Sequence, residues 1–232
     1  YDIYRTPFAE PYKPVMKNLH NVIIEGVGDK QIDFLTNKID YDLLDIESCK
    51  DIAIINLYLG HSPKVEYECA GSVLCVSQCQ GLTIKNCTLF GCGEYGIIGY
   101  DIADLLIQDS TFLDCKVDLI NVLSCENIVM ENCYFYNDED ELIEFERCRN
   151  IVIRNCELIG EFTQFPSIKV DRNDIIEYPS DGNTYVISDM KYPWGMLENV
   201  SVTGNKWFKE ASEKITALYE GVAVDFKKGT DY

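Results

Sequence analysis

Basic residues are scarce in this chain. Among its 232 residues, 20 Lys and Arg stand against 39 Asp and Glu, a formal charge of −19. A surface of that sign repels phosphate, so no nucleic-acid partner is expected. Long apolar runs are missing as well. No stretch of 18 apolar residues occurs, so no membrane-spanning helix and no membrane partner are expected. The opening residues carry no signal-peptide pattern. No Cys-x-x-Cys pair occurs, although Cys75 and Cys79 are four apart, so zinc-site spacing is lacking. Apolar residues themselves are plentiful. At 47% hydrophobic and 12% aromatic, the chain can build a core, which excludes disorder.

A short phrase recurs. It reads CKDIAIINL from Cys49, CQGLTIKNC from Cys79, CENIVMENC from Cys125 and CRNIVIRNC from Cys148. IADLLIQDS from Ile102 keeps the pattern without the cysteines, and fainter copies begin at Asn21 and Asn199. The third residue of each phrase serves as a marker: Asp51, Gly81, Asp104, Asn127 and Asn150, spaced by 30, 23, 23 and 23 residues. A weaker marker at Asp174 and those at Asn21 and Asn199 bring the units to about eight. Units this small cannot bury their own apolar faces, but stacked they form one continuous core.

Apolar residues fall in fixed columns at offsets −7, −5, −2, +1, +3, +6 and +8 from the marker. Each change of phase marks a corner between short strands with period two. The columns predict an all-β, right-handed parallel β-helix, with the hand taken from the crossover rule. Offset +5 holds Asn56, Asn86, Asp109, Asn132 and Asn155 and predicts a corner ladder. Seven of eleven cysteines occupy inward columns and read as reduced, structural thiols. Residues 1–18 read as an irregular lead-in or cap and residues 19–205 as the solenoid. Residues 206–232 read as a tail whose spacing from Trp207 predicts a C-terminal capping helix.

The phrases CENIVMENC, CRNIVIRNC and CQGLTIKNCTLFGCGEYGI resemble the right-handed β-helix proteins of the pectate-lyase-like superfamily, over roughly residues 19–205. The resemblance implies that fold and either of two functions. One is a carbohydrate-binding or carbohydrate-active protein working on an extended polysaccharide by hydrolysis or elimination. The other is a non-catalytic structural or interaction solenoid. The superfamily's polygalacturonase-like signatures (Asn-Thr-Asp and Gly-His-Gly) are missing, and Ser167-Ile168-Lys169 keeps just the lysine of the Arg-x-Lys element. Arg172 stands alone as the lyase-like arginine. Buried reduced thiols suit a cytoplasmic setting, while the resemblance also suits secretion.

Chemistry is expected on the outward offsets −6 and −4. The first holds Asp45, Cys75, Ile98, Asn121 and Glu144, with Lys169 slightly shifted; the second holds Glu47, Ser77, Tyr100, Leu123 and Glu146. Glu144 and Glu146 lie on one strand face with Cα atoms about 6.6 Å apart, a spacing at which two carboxylates can divide acid and base work on a glycosidic bond. Asp45 and Glu47 repeat the arrangement several coils away. Tyr100 offers a ring for stacking on a sugar, with Asn121, Glu47 and Lys169 as further ligand contacts. His61, in the surplus Gly60–Ala70 segment, is a candidate general base. No cofactor is required; calcium would be needed to bridge this acidic face to an acidic glycan.

Overall fold

The computed structural model describes residues 14–38, 40–62, 70–91, 93–137, 143–159, 185–187, 190–191 and 196–208. The described residues form three parallel sheets wound as one coil. The first sheet stacks Val15–Lys17, Leu44–Glu47, Leu74–Ser77, Ile97–Tyr100, Ile120–Leu123 and Ile143–Glu146. The second stacks His20–Glu25, Lys50–Ile55, Gln80–Lys85, Ala103–Gln108, Glu126–Glu131, Arg149–Arg154 and Met196–Thr203, with Tyr185–Ile187 and Met190–Lys191 added antiparallel. The third runs from Ile32–Thr36 through Leu57–His61, Thr88–Phe90, Thr111–Leu113, Tyr134–Tyr136 and Glu157–Ile159 to Lys206–Phe208.

Register follows the repeat. Ile52, Leu82, Leu105, Ile128 and Ile151 are successive partners across the second sheet, and each is nearly inaccessible to solvent. Leu59, Leu89, Phe112, Phe135 and Leu158 do the same in the third, where the rings of Phe112 and Phe135 stack at 5.2 Å. Each buried Ile or Leu contributes about 1.5–3 kcal/mol, so these columns are the main stabilising element.

Each coil uses a residue in left-handed backbone at three recurring positions, two at the bend from the first sheet to the second and one at the bend from the second to the third. The marker column does so at Asn21, Asp51, Gly81, Asp104, Asn127, Asn150 and Asn199, with φ between 53° and 73°. The +5 column does so at Asn56, Asn86, Asp109, Asn132, Asn155 and Gly204. The third position, at offset −3, holds Ser48, Gln78, Asp101, Ser124 and Arg147. Asn and Asp tolerate this conformation at least cost, and their side chains bond one another along the stack. Asn86 donates to Asn56 Oδ1 at 3.0 Å, and Asn132 to Asp109 Oδ1 at 3.1 Å. The marker column forms a second such ladder, from Asn199 to Asn150 to Asn127 to Asp104.

The in-frame cysteines are buried free thiols beside the corners. Cys148 donates to Glu146 O at 3.3 Å and accepts the Cys125 amide at 3.4 Å. Ser110 plays the same part in the +6 column, donating to Gln108 O and accepting the Cys87 amide. A hydrogen bond to Cys125 and burial push the Cys148 thiol up, and burial pushes up Cys87, so these groups stay protonated.

Two expectations change at the C-terminal end. Asn199's strand pairs directly with Arg149–Arg154, so these two are neighbouring coils, and the described residues make seven. Asp174 itself lies outside the described residues. Trp207 and Phe208 continue the third sheet opposite Leu158 and Ile159, because strand pairing overrides their helical spacing. The remainder of the expected capping helix, and most of the expected lead-in, lie outside the described residues. Val15–Lys17 pairs with Asp45–Glu47, placing the first strand before residue 19.

Candidate functional site

The first sheet alternates along each strand between buried and half-buried residues, so one face feeds the core and the other looks outward. Asp45, Cys75, Ile98, Asn121 and Glu144 are successive partners on the outward face, and Glu47, Ser77, Tyr100, Leu123 and Glu146 form the parallel row. At about 4.8 Å per strand, each row runs about 19 Å along the coil axis. Tyr100, 39% exposed, is the most exposed large side chain of these rows.

The bend that leads into each strand adds a third row: Asp42, Ser72, Tyr95 and Asp118. Asn121 joins it to the face. Its amide nitrogen donates to Asp118 Oδ2 in its own coil and to Glu144 Oε2 in the next, both at 2.9 Å. Asp118 is buried, at 3% exposure. Burial pushes the Tyr95 phenol up, with the charges of Asp118, Glu94 and Glu144 adding to the shift. Burial likewise raises Tyr100, reinforced by Cys75, Glu94 and Asp42. The two phenols therefore sit among carboxylates and stay protonated as donors.

The structure separates some residues that the sequence grouped. Glu146 Oε1 lies 3.6 Å from Arg147, and Glu47 is bound by Lys17 at 2.6 Å, so the −4 row carries its own cations. Glu144 is instead tied to Asp118 through Asn121. His61 belongs to no surface loop. It ends the strand Leu57–His61, all five residues of which are buried, and no part of it is exposed. Its Nε2 lies 3.0 Å from Tyr41 O, and Nδ1 has no hydrogen-bond partner among the described residues. Burial holds its pKa below the usual histidine value, although the Tyr41 carbonyl and Asp42 oppose the shift. The ring supports the bend that carries Asp42. Lys169 lies outside the described residues.

Asp42, Asp45 and Cys75 bring one donor atom each within 4.8 Å of one another. Ser72 N donates to Asp42 Oδ1 at 2.8 Å and fixes that carboxylate. Calcium takes six to eight oxygens, whereas a thiolate among the donors suits zinc-like metals. This set therefore fits calcium poorly. Sequence reasoning placed Asp45 and Cys75 in one row but missed Asp118, whose signal is the polar residue three positions before each outward −6 side chain.

The family model described as "right handed beta helix region" matches residues 20–185, and the chain belongs to that family. A crystal structure described as a "putative glycosyl hydrolase" from Parabacteroides merdae is similar at 14% identity and a TM-score of 0.43. The match covers 62% of this chain and 79% of that one. No curated protein matches the chain in sequence.

Proposed function

We propose that the chain binds an extended polysaccharide along the outward face of the first sheet. The observation that carries this reading is the set of rows in register: half-buried carboxylates, an amide and Tyr100 on a flat face about 19 Å long. Sugar hydroxyls need a few convergent donors and acceptors beside an apolar surface, and Ile98 and the tyrosines supply that surface. The outward side of the second sheet is less suited. Its charges are engaged in pairs between coils, Arg149 with Glu126 and Arg154 with Glu131, and apolar residues lie between them.

Hydrolysis or elimination would place Glu144 at the reacting bond, because it is the carboxylate of the −6 row held by a neutral donor. A specific observation favours the second reading, binding without catalysis: Glu146, one of the two expected acid and base groups, is engaged with Arg147. A panel of neutral β-glucans and polygalacturonate, read for binding, new reducing ends and unsaturated products, tests both. Binding with neither product supports the second reading. New reducing ends that vanish in Glu144→Gln support hydrolysis, and unsaturated products that vanish support elimination. Failure of every glycan to bind overturns the glycan assignment.

A further inference from the structure

Asn121 uses both hydrogens of its amide on carboxylates, one on Asp118 and one on Glu144. That fixes which way the amide faces, since the flipped form would set its oxygen against two carboxylate oxygens. Asp118 is well placed to enforce this. It is buried, and its backbone is tied to the preceding coil: Gly96 N donates to Asp118 O at 3.2 Å and Ile97 N to Leu119 O at 2.9 Å. A Cβ on Gly96 would lie 2.5 Å from Leu119 O, so the two bends pack without slack. The chain of contacts therefore runs from a rigid buried acid, through an oriented amide, to an outward carboxylate.

Resting on the glycan-binding face above, we propose that Asp118 and Asn121 are positioning residues for Glu144. They hold its Oε2 as an acceptor and thereby fix the plane in which the carboxylate meets ligand donors. Glu144 is set to read hydroxyl or ammonium hydrogens and to repel carboxylates, so neutral or amino-bearing glycans are the ligand class and uronates are not. The amide donor favours an unprotonated Oε2, so a proton carried by Glu144 sits preferentially on the other oxygen.

The test uses the full chain and two readouts. The first is the Asn121 side-chain amide in NMR spectra. Its two protons should respond separately: Glu144→Gln perturbs one and Asp118→Leu perturbs the other. Asp118→Asn, which keeps an acceptor oxygen, should restore the wild-type pattern. The second readout is affinity for a neutral β-glucan oligosaccharide, a chitosan oligosaccharide and polygalacturonate. Asp118→Leu should weaken the first two about tenfold, as expected for losing a hydrogen bond to a charged group, with Asp118→Asn close to wild type. If Asp118→Leu does not fold, Asn121→Leu gives the same comparison from the half-buried side. An Asn121 amide unmoved by Asp118→Leu, or glycan affinity unchanged in the Leu variants, overturns the positioning role. Stronger binding of polygalacturonate than of the other two overturns the ligand class. Absence of binding by any glycan removes the underlying function, while the amide signals still decide the positioning.

Discussion

Asn127 reaches one coil back and donates to Asp104 Oδ1 at 2.8 Å, and both residues hold left-handed backbone. The same atom pair relates Asn150 to Asn127. A single column thus meets two demands, a corner that most side chains resist and a polar stack that ties the coils. Asn127→Ala loses the ladder bonds and keeps a Cβ in a conformation it disfavours. We expect a loss of about 1–2 kcal/mol in urea unfolding, and a smaller loss for Asn127→Gly, which relieves the backbone term. Equal losses would show that the side-chain ladder, and not the backbone, sets the cost.

Cys148 makes a comparable test of the thiol columns. Its sulfur accepts the buried Cys125 amide. Cys148→Ala leaves that amide without its partner, at a cost of about 1–3 kcal/mol. Cys148→Ser should recover part of this, as Ser110 already fills the equivalent role in another column. Native alkylation should leave the eight thiols buried among the described residues unmodified, with modification following denaturation.

The first-sheet rows were legible because parallel coils place residues 23 apart in register, so Asn121 beside Glu144 follows from spacing alone. The left-handed corner at offset +5 was signalled by its Asn and Asp content, whereas the one at the marker was not read. The link from Asp118 to Asn121 was not legible, because it crosses a bend whose geometry no period describes. His61 was misplaced for a related reason. A surplus segment conceals where the preceding strand ends, and here the strand runs through His61. At Trp207 and Phe208 the local spacing looked helical, but partners at Leu158 and Ile159 decided the outcome.

His61 should make stability fall in mild acid. Burial holds the native ring below the usual histidine value of about 6.5, so it stays neutral where an unfolded chain takes up a proton. Below that value the unfolded state binds more protons, and stability declines until the native ring also titrates. Urea midpoints at about pH 8 and about pH 5.5 should differ more for wild type than for His61→Gln, which has no titrating ring. Equal differences would show that other groups set the acid limb.

Ligand binding should separate the two sheet faces. Tyr100 and Glu144 lie on the proposed face of the first sheet, whereas Glu131 lies on the second and pairs with Arg154 at 2.8 Å. Tyr100→Ala removes the exposed ring, and base-free stacking of this kind is an apolar contribution that salt does not screen. Glu144→Ala removes an oriented acceptor. Each should weaken a bound neutral oligosaccharide about tenfold in calorimetry, a loss of about 1.4 kcal/mol, while Glu131→Ala leaves affinity unchanged. The Tyr100 effect should persist in high salt. An effect confined to Glu131→Ala would move the ligand to the second sheet, where paired charges line the coils and no exposed aromatic row is available among the described residues.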